Sequence, residues 1–175
     1  GEQFGSKYPC CLRLNPHIMA GGNLKISTGH SNSKFGISVY QIPQIMEIVD
    51  QHKINVTGLH IHTGSEISEA DVFIKMAEIF FSVAREFKDL RFIDFGSGFK
   101  VAYQDGDAVT NVYDLGLKLT KAFTEFCEQY GRKLELWIEP GKYIVSDAGN
   151  LFVKTTVVKS TPSVTFLGVN SGLNH

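Results

Sequence analysis

An α/β fold built on a parallel sheet is predicted for this 175-residue chain. Three observations predict it. Short apolar runs recur along the sequence. Amphipathic stretches at helical spacing separate them. Glycines and polar residues gather just after the apolar runs. Strands that alternate with helices run parallel, because each helix returns the chain to the same end of the sheet.

Pro9 to Leu14 reads as a buried strand, ended by Asn15-Pro16, since the residue before a proline avoids the helical region. Gly21, Gly22 and Gly29 with their polar neighbours form a loop. Pro43 to His52 reads as a helix: Ile45, Ile48, Val49 and His52 share a face, and Pro43 suits a first turn. Asn55 to His62 is the next strand. Residues 69–88 give the clearest helix, with Phe73, Met76, Ala77, Phe80, Ala84 and Phe87 on one stripe and Ser68 as its expected cap. Arg91 to Phe95 is a strand, followed by Gly96-Ser97-Gly98. Residues 113–130 repeat the helical period through Leu119, Phe123, Phe126, Cys127 and Tyr130, and Gly131 is the expected stop. Leu134 to Ile138 is a strand that ends in Glu139-Pro140-Gly141. Beyond Ser146 the helices cease, and Leu151–Ser160 and Val164–Val169 are β-rich. The expected division is therefore an α/β unit over 1–145 and the start of a β domain over 146–175. The βα units are too few to close an eight-stranded barrel. Either the sheet is open or half of a barrel lies outside this chain.

Composition narrows the function classes. Hydrophobic residues make up 43% and charged residues 20%, an ordinary globular balance that excludes global disorder. The net charge is −1 with no basic stripe, so nucleic acid is not an expected partner. No stretch approaches the ~18 apolar residues of a membrane span, and the first residues lack the apolar core of a signal peptide. Three cysteines without spacing logic argue against a disulfide framework and for a reducing compartment, hence the cytoplasm. Asn55-Val56-Thr57 matches a glycosylation sequon and is read as a chance match at a strand. The chain lacks an initiator methionine and stops in mid-pattern at Leu173-Asn174-His175, so a segment of a longer protein is expected.

Four polar clusters carry the candidate chemistry. His60 and His62, two apart on a strand, point the same way, ahead of Thr63-Gly64-Ser65. They suit a hydrogen-bonded core pair, a metal pair, or an imidazole stacked on a flat ligand. Asp94-Phe95-Gly96-Ser97-Gly98 suits a tight turn or a close backbone approach to phosphate. Position 101 is Val, so the dinucleotide fingerprint fails. Glu139-Pro140-Gly141-Lys142 places a carboxylate, a fixed turn and a cation at a strand end, as a surface ion pair or as a base and an anion contact. Lys34-Phe35-Gly36, preceded by Ser27-Thr28-Gly29, reads as a loop with a surface lysine. Taken together, the clusters suit a flat, phosphorylated cofactor with a cationic ring.

At these residues the sequence resembles the fold-type III, alanine-racemase-like pyridoxal-phosphate decarboxylases, and within them the diaminopimelate-decarboxylating group. Leu12-Arg13-Leu14-Asn15-Pro16 resembles the family's Leu-Arg-Ile-Asn-Pro, and Ser27-Thr28-Gly29 with Lys34-Phe35-Gly36-Ile37 resembles its following loop. Gly58 to Ile67 resembles Gly-Leu-His-x-His-Ile-Gly-Ser-Gln-Ile. Asp94 to Gly98 resembles Asp-Leu-Gly-Gly-Gly, and Glu139 to Lys142 resembles Glu-Pro-Gly-Arg. Five motifs in order make a specific signal.

The resemblance implies the second half of a (β/α)8 TIM barrel followed by the start of a C-terminal β domain. It implies pyridoxal 5'-phosphate as cofactor and conversion of meso-2,6-diaminopimelate to L-lysine and CO2 by a cytoplasmic homodimer with shared active sites. His62 would stack on the pyridine ring, and Glu139 would pair with its protonated nitrogen; these are the implied catalytic residues. Ser65, Gly96, Ser97, Gly98, Pro140 and Gly141 would surround the phosphate. Lys142 would meet phosphate or a substrate carboxylate. No metal is implied. Two departures stand out: Ser97 replaces a glycine, which narrows the allowed backbone angles, and Lys142 replaces an arginine, which keeps the charge at that position but gives up the arginine's planar fork. The family's Schiff-base lysine would precede residue 1, and its Cys-Glu-Ser segment would follow residue 175, so the segment alone is expected to be inactive. The alternatives are an ornithine, arginine or carboxynorspermidine decarboxylase, a non-catalytic cofactor-binding homologue, and a metal-dependent barrel hydrolase using His60 and His62 with Asp94 and Glu139.

Overall fold

A computed structural model describes residues 3, 7–18, 29 and 33–172. The expected loop glycines Gly21 and Gly22, the pair Ser27-Thr28, His30, and the terminal Leu173-Asn174-His175 lie outside the described residues. The chain divides into two compact units, Gly1–Ile144 and Val145–His175.

The first unit is a five-stranded sheet in the order β2-β1-β3-β4-β5. Its strands are β1 (Pro9–Asn15), β2 (Ile37–Ser38), β3 (Asn55–Ile61), β4 (Phe92–Asp94) and β5 (Glu135–Trp137), and every pairing is parallel. The helices α1 (Ile42–Gln51), α2 (Ala70–Ala84) and α3 (Val112–Tyr130) make the returns between strands. The predicted α/β class and the order of its elements stand. Among the described residues no helix is long and apolar enough to cross a membrane.

The stripe on α2 explains its place. Phe73, Met76, Ala77, Phe80 and Ala84 are buried, along with Phe81. On α3, Leu115, Leu119, Phe123 and Phe126 are buried. The two helices meet through Phe81 and Phe126, stacked with ring centroids 4.5 Å apart. The Phe95 ring, just beyond β4, stands edge-on to both Phe80 and Phe81. Gly131 ends α3 in the left-handed conformation with φ 76°, and its N–H donates to the Cys127 carbonyl. This is the geometry glycine adopts without strain.

Several boundaries move. The helix expected over 69–88 ends at Ala84, where Glu86 and Phe87 donate their N–H groups three residues back and the chain turns. Phe87 stays buried because that turn folds it onto the core. Ser68 is not the cap of α2; the N-cap is Glu69, without a side-chain bond. Asn111, not foreseen, caps α3 by accepting the Asp114 N–H at 3.0 Å. The strands at 92–94 and 135–137 are shorter than expected, yet backbone bonds extend the ladder past their ends. Phe95 N–H donates to Trp137 O, and Glu139 N–H to Gly96 O. On α1 only Ile42 is buried, and Ile48 lies exposed on the face expected to pack.

The second unit opens on a 3-10 turn over 146–148 and continues as a β-hairpin. Its strands are β6 (Thr155–Ser160) and β7 (Thr165–Val169), paired antiparallel. Residues 151–154, expected as strand, lie outside β6. Thr161 and Val164 close the hairpin turn by backbone and side-chain bonds.

Candidate functional site

Register places the inner row of the sheet. Arg13 lies beside His60, His60 beside Asp94, and Asp94 beside Trp137. The row below is Cys11, Gly58, Phe92 and Glu135. In the intervening row Leu59 and Ile93 are fully buried under the helices, while Leu12 and Leu136 at its ends are partly buried. Side chains two apart share a face, so one face of the sheet is core and the other carries the chemistry. Gly58 is required here: a Cβ on it would come within 2.5 Å of the Phe92 ring. That ring stacks on Trp137 at 3.9 Å and forms the floor of a recess of about 310 Å³ lined by Arg13, His60, Asp94 and Glu139. A separate recess of about 390 Å³ lies at the amino end of β3, between α1 and residues 86–89, away from these groups.

Glu139 follows β5 and returns its carboxylate to His60, with Oε2 3.3 Å from Nε2. The alignment is too poor for a hydrogen bond, and Nε2 of His60 is buried without a hydrogen-bond partner among the described residues. His60, Asp94 and Glu139 bring donor atoms within 4.8 Å of one another. His62 is not in that group. It lies one residue past β3, and its Nδ1 accepts the Ser97 N–H at 3.4 Å. Burial lowers the His62 pKa below its ordinary value, with Arg13 and His60 adding to the effect against Glu139 and Asp94. The neutral ring is therefore favoured.

The loops above the row pack backbone against backbone. Gly96 and Gly98 have φ of 59° and 125°. A Cβ at 96 would lie 2.8 Å from His62 Nδ1, and one at 98 would lie 2.4 Å from the Gly64 carbonyl oxygen. Ile67 donates its N–H to Gly98 O at 3.0 Å. Ser97, between the two glycines, is not at positive φ, so the serine is accommodated where the resemblance has a third glycine. Two of the three amides in this loop are engaged internally: Gly96 N–H by Asp94 Oδ1 at 2.8 Å, and Ser97 N–H by His62. Ser65 sits half-buried beside this loop pair, and Gly141 is exposed with open space around its Cα.

Lys142 reaches across to the same loops. Its ammonium binds Glu66 and donates to the Tyr103 hydroxyl at 2.6 Å, while that hydroxyl donates to Glu66 at 2.8 Å. The sequence pattern singles out neither Glu66 nor Tyr103, nor Arg13 as a site residue. Arg13 had a signal, the strand alternation that pairs it with Cys11. The other two had none within reach of a local pattern. In the remaining cluster, Lys34 and Arg13 both lie over the Phe35 ring, within 5.4 Å.

Cys11 shares the inner face. Though its side chain reaches the surface, partial burial of the thiol raises its pKa to about 11, with the carboxylates of Asp94 and Glu139 adding to the shift. Thiolate is the reactive form but a more basic thiolate is the stronger nucleophile, so at neutral pH Cys11 is expected to alkylate roughly tenfold more slowly than an ordinary thiol. Timed iodoacetamide labelling of native and urea-unfolded protein, read by mass spectrometry, checks this. Equal rates at Cys11 in the two states would contradict the assignment.

A sequence model of the family described as "Pyridoxal-dependent decarboxylase, pyridoxal binding domain" matches residues 2–146. The chain belongs to this family. Among pyridoxal-dependent decarboxylases it is similar to the diaminopimelate decarboxylase of Escherichia coli K12, with 32% identity over 99% of this chain and 42% of that protein. The Bacillus subtilis 168 enzyme of the same name is 29% identical over the same shares. A crystal structure of diaminopimelate decarboxylase superposes with a TM-score of 0.80 at 28% identity, covering 95% of this chain and 39% of that one. The Helicobacter pylori enzyme complexed with L-lysine gives 0.77 at 26% identity, covering 95% and 41%. The chain spans about two-fifths of these relatives' length. Its parallel sheet is accordingly part of the family's (β/α)8 barrel, as the resemblance implied.

Proposed function

We propose that this chain carries one half of the cofactor site of a decarboxylase that uses pyridoxal 5'-phosphate to convert meso-2,6-diaminopimelate into L-lysine and CO2. The observation that carries the reading is the combination at one sheet end of a histidine whose burial favours the neutral ring, a carboxylate and glycine loops packed too closely for side chains. The residues fit such a cofactor. The orphaned His60 nitrogen and the Glu139 carboxylate mark a place for a cationic ring nitrogen. Gly141, with open space around its Cα, leaves room for a phosphate beside the packed Gly96–Gly98 loop.

When bound, pyridoxal phosphate supplies the electron sink that takes up the pair left at Cα as CO2 departs. His62 holds the ring by stacking, and its neutral state avoids repulsion with the cationic ring. Glu139 favours a proton on the pyridine nitrogen by close opposite charge. His60 contacts the Glu139 carboxylate at the end of the inner row. Ser65, Gly98, Pro140 and Gly141 surround the phosphate, with Gly96 and Ser97 supplying the close approach of the loop. Lys142 meets the phosphate or a substrate carboxylate. The barrel portion runs over 1–145 and a β domain begins over 146–175. The working unit is a cytoplasmic homodimer that completes the site with residues from outside this segment, so the segment alone is inactive.

The test is the visible spectrum of the full-length protein as purified, before and after borohydride. A yellow band that borohydride bleaches, with CO2 release from meso-diaminopimelate, is the expected result. A colourless protein that stays colourless with added pyridoxal phosphate would overturn the reading. One observation favours a second reading: His60, Asp94 and Glu139 together offer a His/carboxylate donor set to a divalent metal. Stoichiometric zinc in the colourless protein would select it.

A further inference from the structure

We infer that Glu66 is a positioning residue that ties up the Lys142 ammonium and so limits how tightly the site grips an oxyanion, whether a phosphate or a carboxylate. The inference rests on the cofactor reading above. Glu66 stands between Ser65 and Ile67, on the loop that packs against Gly98. A bare carboxylate beside a phosphate cradle repels phosphate, so its pairing governs the local charge.

The arrangement is built rather than incidental. Glu66 adopts φ 65°, a conformation that side-chain-bearing residues seldom occupy. That turn aims its carboxylate at Lys142, and Glu66 is only 18% exposed against 36% for Lys142. Tyr103 closes the third side: its hydroxyl accepts from Lys142 and donates to Glu66, and its ring lies 5.2 Å beneath the ammonium. The ionised pair is favoured from both ends. The hydrogen bond from Lys142 holds the Glu66 carboxyl below the usual carboxylate range. Burial disfavours the Lys142 charge, but the bonds to Glu66 and Tyr103 outweigh it and raise its pKa. Lys142 therefore remains cationic yet locally neutralised. An arriving oxyanion has to share the ammonium with Glu66 or displace it, which makes Glu66 an internal competitor.

The experiment compares full-length wild type with Glu66→Gln and Tyr103→Phe. Glutamine keeps the shape of Glu66 and removes its charge. Absorbance titrations use pyridoxal phosphate and, as the probe without phosphate, pyridoxal. Steady-state assays give KM and kcat for the diamino dicarboxylate. Glu66→Gln is expected to strengthen oxyanion binding roughly three- to tenfold, with Tyr103→Phe smaller in the same direction. Tighter pyridoxal phosphate with unchanged pyridoxal supports the inference with phosphate as the anion. A KM that falls by more than kcat changes, at unchanged cofactor affinity, supports it with the substrate carboxylate as the anion. If wild type binds the cofactor and Glu66→Gln leaves both affinities unchanged or weaker, the inference is overturned and the cofactor reading stands. If wild type binds no pyridoxal phosphate, both fall. Should Glu66→Gln fail to fold, Tyr103→Phe decides: it touches only an exposed side chain, and unchanged affinities in it overturn the inference.

Discussion

Glu139→Gln in the full-length enzyme is expected to lower kcat by roughly 10²–10³-fold while leaving the unfolding midpoint nearly unchanged. The Glu139 side chain is 57% exposed and its ionic contact with His60 is at the sheet's rim, so its removal leaves the core untouched. Exposed pairs contribute little to stability. Glutamine keeps the length and one oxygen but cannot carry the negative charge that, on the proposed reading, would favour a protonated ring nitrogen. On that reading the loss would fall on the chemical step rather than on substrate capture. Two measurements check this together: kcat and KM for decarboxylation, and the absorption maximum of the bound cofactor. A variant with wild-type kcat would remove Glu139 from the machinery. A variant that also loses its folding transition would instead assign Glu139 a structural role.

Gly98→Ala is the largest expected effect on the loops. The backbone at 98 has φ 125°, where a Cβ is strained whatever the space, and the atom it meets is the Gly64 carbonyl oxygen at 2.4 Å. That oxygen is backbone, so this clash cannot relax by a rotamer change, unlike the lighter contact with Ile67 Cδ1 at 3.1 Å. The expected cost is about 2–4 kcal/mol, from the strained dihedral and from separating the 64–67 loop from the 98–99 segment. On the proposed reading cofactor affinity should fall with it, because Gly98 would stand beside the phosphate. Gly106→Ala is the control. It also has positive φ, 87°, but no heavy atom lies within 4 Å of its built Cβ. It should cost only about 1 kcal/mol and leave cofactor binding intact. Equal urea midpoints for the two variants would show that backbone strain alone matters and that the loop contact does not.

Much of this architecture is legible in the sequence, for identifiable reasons. The α2 and α3 stripes obey the helical period because each helix buries one face, and Gly131 announces its left-handed turn. The cap of α2 is not legible. Ser68 has the right chemistry, but the Ile67–Phe99 bridge pins the chain just before it and moves the start to Ala70. The two-residue β2 is too short to show any period, and its pairing with Leu14 and Asn15 is a tertiary fact. Within the site, His62, Glu139 and the glycine loop stand out because each follows an apolar run. His60 and Arg13 become meaningful only through strand register. Glu66 and Lys142 lie 76 positions apart and Tyr103 stands between them in sequence, so nothing local links the three.

The Phe92–Trp137 stack has a practical consequence. Trp137 is the chain's single tryptophan, with its indole N–H held by Glu135 and its neighbour across the sheet being Asp94. The emitting ring is thus fixed in orientation within the very row that holds Glu139. The segment carries its own optical gauge. Within this segment its emission reports on the floor of the recess.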